Sequence, residues 1–280
     1  MIAYHPIDLE TLVQLELPPL PDAALRVAAL TQDPNTSTRL IAEAIGYDPI
    51  LGARVLRAAN SPLYYLERDV TTLTMAVNAL GNDAINLLVV ASGASDAFQS
   101  TGKRLAEETT LWKHSLAVGL AAREIMSLLQ LRGMDQAFIC GLLHDIGKLL
   151  LLRHDRDACQ QLVRNVEQKD FLAGELEVFG YTHAQVGALV AKRWNLPDAI
   201  CHAIYHHHQP IQAEKSMLMA RVVEVADDLA NEAGVGGWPA SEAGHEASES
   251  TFALQLSEDQ LQEVWEKTQA SLSATFALFS

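Results

Sequence analysis

The sequence predicts an all-α protein in which a small N-terminal helical bundle is followed by a second helical bundle. Apolar residues recur at helical spacing along most of the 280-residue chain. Nothing in the N-terminal third keeps the two-residue alternation of a strand for long. Because 49% of the residues are hydrophobic, the helices are expected to bury a substantial core.

The N-terminal third predicts a compact bundle of about five short helices. Three prolines within 18–21 end a first acidic segment, because proline lacks a backbone donor and clashes inside a helix. Ser37 and its threonine neighbours are candidate caps, Asp48-Pro49 opens a further helix, and Asn60 is expected to bond backbone where that helix ends. The predicted helices cover 22–30, 39–46, 49–59 and two segments around Leu80-Gly81 within 71–98.

Residues 99–108 are polar and charged, and they are the predicted junction between two domains. We therefore divide the chain into an N-terminal bundle over 1–100, a second helical domain over 101–235 and a C-terminal part over 236–280. A loop within 234–250 is expected to be mobile, and an amphipathic helix from about Glu258 is expected to pack on the second domain. The helices of the second domain are expected over 111–130, 135–153, 159–168, 183–194, 198–208 and 216–232.

The chain is strongly acidic, with 35 Asp and Glu against 20 Lys and Arg and a net charge of −15. Direct binding of nucleic acid is not expected, since phosphate contacts need clustered Lys and Arg. The three cysteines lack metal-ligand spacing and are expected to be buried thiols in a reducing compartment. No signal peptide and no apolar run of membrane-spanning length are evident. We expect a cytoplasmic protein that does not contact a membrane.

Adjacent His144 and Asp145 interrupt an apolar run over 138–150. Burying an imidazole and a carboxylate is costly unless they are paired, hydrogen-bonded or bound to a metal. Asp145 has no simple packing role in such a run. The pair is therefore a stronger indication of a metal site than a lone histidine, which is more often a core residue bonded to a carbonyl.

Further imidazoles and carboxylates fall on otherwise apolar helical segments, with no thiolate among them. This donor set suits Fe, Mn, Zn or Mg, and such an ion could activate a bound water. Lys148, one helical turn after His144, could steady a phosphate or a leaving oxygen. His202 and His206 would share a helix face, so composition leaves open which histidines of that segment point inward. The candidate metal ligands are His114, His144, Asp145, His183, His207, His208 and Asp227.

Fragments spread along residues 12–235 carry a resemblance to a known family. They lie at 17–21, 48–51, 56–62, 76–81, 111–115, 141–148, Glu177, 181–184, 194–197 and 207–210. In this order they resemble the HDOD proteins, a variant output branch of the HD metal-dependent phosphohydrolases that is associated with bacterial signalling. The resemblance implies an all-helical fold with a small N-terminal bundle packed on an HD-like bundle.

The related HD-GYP phosphodiesterases carry a series of His, His-Asp with a following Lys, His, His-His and Asp. The resemblance implies that this series maps onto His114, His144-Asp145 with Lys148, His183, His207-His208 and Asp227. The chain departs from the pattern at Gln209-Pro210, where neither an acidic residue nor a Gly-Tyr-Pro element follows the histidine pair. The departure weakens the case for hydrolysis of cyclic di-GMP in particular and leaves metal binding open.

Two functions of different classes follow from the resemblance. In the first, which we favour, the chain is a signalling module that contacts protein partners supplied in trans, and the His/Asp cluster is structural or ligand-sensing. In the second, the chain is a metal-dependent phosphohydrolase acting on a nucleotide or phosphoester. There His114, His144, Asp145 and Asp227 hold one metal, the other three histidines hold a second metal or bind phosphate, and Asp145 and Lys148 take part in catalysis.

Overall fold

The computed structural model describes residues 8–16, 20, 22–33, 35–61, 64, 69–99, 105–165, 171–235 and 248–279. Within these ranges the chain forms fifteen α-helices and one 3₁₀ segment and no strand. The all-α prediction is therefore confirmed. Most of the proline-rich segment at 17–21, the centre of the predicted junction and residues 236–247 of the predicted mobile loop lie outside the described residues.

The N-terminal helices begin where the capping residues were expected. The Ser37 side chain accepts a hydrogen bond from the backbone of Leu40, and Asp48 accepts from the next helix in the same way. The Asn60 amide bonds the backbone of Leu56 and of Val70, as expected for a residue that closes a helix. These helices are α1 Leu9–Glu16, α2 Asp22–Gln32, α3 Thr38–Gly46, α4 Pro49–Ala59 and α5 Leu73–Gln99.

Helix α5 changes direction at Gly81, whose φ of 78° and ψ of 172° are non-helical. Two helical segments meet there, as predicted around Leu80-Gly81. The stretch Leu73–Phe98 is long and apolar enough by composition to span a membrane, with a mean hydropathy of 1.4, so the expectation that no such stretch exists was wrong. The helix packs against α2, α3, α4 and α7, and this protein contact accounts for its apolar character.

The second half departs from the predicted helices in several places, and one is a short helix, Glu249–Ala253, that begins inside the loop predicted over 234–250. The helix expected over 135–153 is two helices that meet at His144 and Asp145, because Asp145 leaves the α-helical region with φ −104° and ψ 9°. A helix beginning at Phe171 was not predicted, and the helix expected to reach His208 ends at Tyr205. The helices are α6 Ala106–Leu128, α7 Met134–Leu143, α8 Ile146–His154, α9 Arg156–Asn165, α10 Phe171–Phe179, α11 His183–Arg193, α12 Asp198–Tyr205, a 3₁₀ segment Pro210–Ser216, α13 Met217–Glu232, α14 Glu249–Ala253 and α15 Glu258–Leu278.

Glycines allow the helices around the break to approach closely. A Cβ atom at Gly141 on α7 would lie 2.8 Å from the Val118 carbonyl oxygen and 2.9 Å from Gly119 Cα on α6. A Cβ atom at Gly147 on α8 would lie 2.0 Å from the carbonyl oxygen of His183 at the start of α11. A side chain would not fit at either distance. Glycine at these two positions therefore allows α7 to approach α6 and α8 to approach α11.

One continuous core of buried apolar residues includes members from both halves of the chain. The C-terminal helix α15 packs on α6, and Phe279 lies edge-on to Trp112 with ring centroids 6.3 Å apart. Ser95 on α5 donates a hydrogen bond to the Phe279 carbonyl. The C-terminal segment therefore contacts both halves, while the division into three domains stays a prediction.

Candidate metal centre

All the predicted ligands lie around one point between the helices of the second half. His114 comes from α6, His144 and Asp145 from the junction of α7 and α8, and the others from α11 or from just after α12 or within α13. Five of these side chains are buried, with at most 1% of the residue surface exposed. The nitrogen and oxygen atoms that face the centre form three overlapping groups, each with its atoms within 4.8 Å of one another: His114, His144 and Asp227; His144, Asp145 and His207; and His183, His207 and His208.

The first part of the centre pairs two imidazoles with Asp227. His114 Nε2 lies 2.9 Å from Asp227 Oδ1, and His144 Nε2 lies 3.7 Å from the same oxygen. Asp145 Oδ2 lies 3.4 Å from His144 Nε2 and 3.8 Å from His114 Nε2. Two ligands of one zinc-like ion at about 2.1 Å are separated by at most about 4.2 Å. His114 Nε2 and His144 Nε2 each lie within that distance of Asp227 Oδ1 and of Asp145 Oδ2.

The second part of the centre is formed by three imidazoles. His183 Nε2 lies 2.9 Å from His208 Nε2 and 3.4 Å from His207 Nε2. The other oxygen of Asp145, Oδ1, lies 3.3 Å from His183 Nε2. One carboxylate therefore faces both parts, with one oxygen directed to each.

The backbone holds three of the imidazoles by their Nδ1 atoms. His144 Nδ1 lies 2.7 Å from the Gly141 carbonyl oxygen, and His207 Nδ1 lies 2.6 Å from that of Ile204. His114 Nδ1 lies 3.1 Å from the carbonyl oxygen of Val235. Because a carbonyl only accepts, Nδ1 carries the proton in each case. In the neutral ring the Nε2 lone pair then points at the centre, which is the arrangement found in metal-bound histidines.

Glu175 on α10 holds the fourth imidazole, and the sequence analysis did not identify it. Its Oε1 and Oε2 atoms lie 2.9 and 2.8 Å from His183 Nδ1, and Oε2 also accepts the backbone N–H of His183 at 2.9 Å. Only 1% of Glu175 is exposed, whereas Glu177, quoted for the family resemblance, is exposed. The sequence feature that could have identified Glu175 is a carboxylate within the otherwise apolar stretch 171–176. No helix was predicted there.

Burial and charge together set the protonation of the centre. Burial alone would raise the pKa of Asp145, but the charges of His144 and Lys148 hold it well below its usual value. Burial would lower the pKa of His144, but Asp145 and Asp227 raise it to about 10. Burial lowers the pKa of His207 well below its usual value, which keeps this ring neutral. The centre therefore holds a protonated His144 that a bound cation would deprotonate.

Two atoms of the centre lack a hydrogen-bond partner among the described residues. His144 Nε2 and Asp145 Oδ1 are both fully buried. Leaving such groups unsatisfied costs about 1–3 kcal/mol each, and more for charged groups. Divalent cations in the two parts of the centre would satisfy both atoms, since imidazole and carboxylate groups are common ligands of such ions. The residues present therefore fit a metal ion.

Lys148 lies at the edge of the centre on α8. Its Nζ atom lies 2.7 Å from Asp145 Oδ2 and 5.8 Å from the centroid of the Phe171 ring. Its side chain is 13% exposed, so part of Lys148 reaches solvent at the edge of the centre. The sequence left open the direction of four histidines within 202–208. His202 is exposed and His206 lies outside the three groups, whereas His207 and His208 lie within them.

Comparison with known proteins places this geometry in a family. A model of the HDOD domain matches residues 17–210. An uncharacterized protein of Treponema pallidum (strain Nichols) is 26% identical over 220 residues, which cover 76% of this chain and 42% of that protein. The chain therefore spans less than half the length of this relative.

Solved structures show the same architecture. An HDOD domain protein of unknown function from Geobacter sulfurreducens is 29% identical, with 97% of each chain covered and a TM-score of 0.65. A protein of Shewanella amazonensis SB2B, provisionally named a phosphohydrolase, is 25% identical over 94% of this chain and 99% of that one, with a TM-score of 0.67. A Marinobacter aquaeolei VT8 protein, provisionally named for signal transduction, shares the fold at 24% identity and a TM-score of 0.73 over 99% of this chain and 62% of that one. The chain belongs to the HDOD family.

Proposed function

We propose that the chain is a metal-dependent phosphohydrolase whose substrate is a nucleotide or another phosphoester. One observation carries the proposal: Asp145 directs one carboxylate oxygen to the His114–Asp227 side of the centre and the other to His183. A carboxylate placed between two sets of ligands is suited to joining two cations in one site. Two-metal sites of this kind are common in phosphatases and nucleases.

In this proposal each set of ligands holds one divalent ion. His114, His144 and Asp227 would hold the first, the three remaining histidines would hold the second, and Asp145 would face both. Bound divalent ions would act as Lewis acids and would lower the pKa of a bound water molecule, so that this water could lose a proton near neutral pH. The individual roles of these residues are part of the proposal.

The other residues of the centre would position the phosphate. The Lys148 ammonium group lies against Asp145, where it could also donate a hydrogen bond to a phosphate oxygen. His208 is the most exposed of the candidate ligands and marks the side from which a substrate enters. Glu175 orients His183 through its Nδ1 atom and keeps the Nε2 lone pair directed inwards.

Signalling through protein contacts is the second candidate function, and the surface of the N-terminal bundle favours it. Tyr47 and Ile50, beside the start of α4, are 72% and 66% exposed. Large apolar side chains that are this exposed are typical of partner-binding surfaces when they lie together. The partners would be signalling proteins supplied in trans in the cytoplasm, and the metal centre would then sense a ligand.

Metal analysis of the full chain purified without chelator, combined with a hydrolysis assay, separates the two functions. We expect bound divalent metal and hydrolysis of bis(p-nitrophenyl) phosphate, with hydrolysis lost in Asp145→Ala and His144→Ala. His202→Ala is the matched control, because this exposed histidine lies outside the centre. A folded, metal-free protein, or a metal-bound protein that does not hydrolyse the probe, would contradict the hydrolase and favour signalling.

A further inference from the structure

A cavity of about 330 Å³ opens beside the metal centre on the side of His208. It lies between the segment that follows α12 and the start of α13, and α14 closes its far side. Cavities that bind small molecules start at about 300 Å³, so a nucleotide-sized group fits here. Its polar lining includes His208, Gln209, Gln212, Arg221, Glu224 and Glu249.

Arg221 is the residue of this cavity with a permanent positive charge. Its side chain is partly buried, and the described part of the chain places no carboxylate in ion-pair contact with it. Glu224, one turn further along α13, bonds Ser250, and its charge interacts with that of Arg221 at a longer distance. A guanidinium group that faces a cavity without an ion pair is suited to binding a phosphate, because its donors match two phosphate oxygens at once.

The remaining polar groups argue against a ligand that is only a polyanion. Gln209 and Gln212 offer amide donors and acceptors, and Glu224 and Glu249 offer carboxylate acceptors. Carboxylates repel a phosphate but accept hydrogen bonds from amino groups, as they do from the exocyclic amines of nucleobases. The lining therefore combines one arginine that can bind a phosphate with carboxylates that can accept hydrogen bonds from the amino group of a nucleobase.

We propose that this cavity binds the part of the substrate that does not react, and that Arg221 binds a second phosphate on a nucleotide. The inference rests on the proposed function, since it places the reacting phosphate at the metal centre next to His208. It goes further by naming the ligand as a nucleotide with two separate phosphate groups. Arg221, Glu224, Glu249 and Ser250 all lie beyond the family match at 17–210, so ligand preference here depends on residues outside that match.

Binding of two matched probes tests the inference. Adenosine 5′-monophosphate and adenosine 3′,5′-bisphosphate differ by one phosphate, and their affinities for the full chain in excess Mn²⁺ can be compared by calorimetry. We expect the bisphosphate to bind about tenfold to a hundredfold more tightly, since hydrogen bonds to charged groups are the stronger kind. Arg221→Gln should bring the ratio of the two affinities close to one, and Arg221→Lys should restore part of it.

Arg39→Gln is the matched control, because this exposed arginine pairs with Glu43 on α3 and lies outside the cavity. It should keep the ratio of the native chain, and thermal unfolding should show that Arg221→Gln remains folded. A ratio near one in the native chain, or an unchanged ratio in Arg221→Gln, would overturn the inference even if bis(p-nitrophenyl) phosphate is hydrolysed. A chain that prefers the bisphosphate but never hydrolyses that probe would retain the phosphate site at Arg221 and lose the proposed hydrolysis.

Discussion

The Glu175 carboxylate binds His183 twice, at the ring Nδ1 atom 2.8 Å away and at the backbone N–H 2.9 Å away. The other three buried imidazoles of the centre bond neutral backbone carbonyls instead. A carboxylate behind a metal-binding histidine raises the basicity of the ring and fixes its orientation. Glu175 therefore adds negative charge to the part of the centre formed by three histidines. It does so from behind the His183 ring and is not itself a candidate ligand.

Substitution of Glu175 should weaken metal binding in one part of the centre. We expect Glu175→Gln to lower the affinity for the second metal equivalent about tenfold to a hundredfold and to leave the first nearly unchanged. Metal titration followed by elemental analysis measures both equivalents. Glu177→Gln is the matched control, because Glu177 lies two residues away and is exposed. Equal behaviour of the two variants would contradict a role for Glu175 at His183.

A side chain at Gly147 should separate α8 from α11. The added Cβ atom of Gly147→Ala would lie 2.0 Å from the His183 carbonyl oxygen, so one of the helices must move. We expect a loss of about 1–3 kcal/mol in the free energy of unfolding, together with weaker metal binding. Gly52→Ala is the control, since its Cβ atom would meet Leu73 at an ordinary 3.7 Å. Chemical denaturation of both variants provides the comparison.

Metal binding should release a proton and strengthen as the pH rises. The carboxylates of Asp145 and Asp227 raise the pKa of His144 to about 10, so this ring is protonated in the metal-free chain at neutral pH. A cation must displace that proton, and the affinity should rise by up to about tenfold per pH unit below pH 10. Calorimetry in buffers with different ionisation enthalpies counts the protons released. A pH-independent affinity would contradict the protonated state.

The same raised pKa predicts how the stability of the metal-free chain depends on pH. A group whose pKa is higher in the folded state than in the unfolded state stabilises the fold most below its unfolded pKa. For His144 this contribution is complete below about pH 6.5 and is lost as the pH rises through about 10. We expect His144→Gln to flatten the decline in the free energy of unfolding over this interval. Urea denaturation of the two metal-free proteins at a series of pH values measures the difference.

The cysteines should be unreactive while the chain is folded. Burial raises the pKa of Cys140 to about 12 and also raises the pKa values of Cys159 and Cys201. Because the thiolate is the reactive form, a thiol reagent at pH 8 should modify these residues only after denaturation. Absorbance at 412 nm with Ellman's reagent gives the count in both states. Rapid reaction of the folded chain would show that a cysteine is accessible.

Most of the candidate ligands could be identified because they stand out against apolar surroundings, and the resemblance to the family selected the pair at 207–208. His144 and Asp145 interrupt a run of apolar residues, and no packing role explains them there. The break between α7 and α8 was not predictable, since helical spacing continues unbroken through the pair while Asp145 leaves helical geometry only in the folded chain. Helical spacing also favoured His202 and His206 as a pair, because it could not show that α12 ends at Tyr205. Once that helix ends, the next turn directs His207 and His208 inwards.

Glu175 shows a second limit of sequence reasoning. Its partner His183 is eight residues away, across a turn that separates two helices, and no periodic pattern joins residues related in this way. The cavity beside His208 is a similar case, because α14 approaches α13 only through tertiary packing. Residues within one helix were therefore accessible from the sequence, whereas contacts between helices required the fold.

The close crossing of α6 and α7 at Gly119 and Gly141 has a consequence for how metal is taken up. His114 lies five residues before one glycine and His144 lies three residues after the other, so a single contact free of side chains sets the distance between the two imidazoles. The entropic cost of bringing these candidate ligands together then belongs to folding and not to metal binding. Metal should enter a pre-organised centre, and its association should be fast and leave the helical circular dichroism spectrum unchanged.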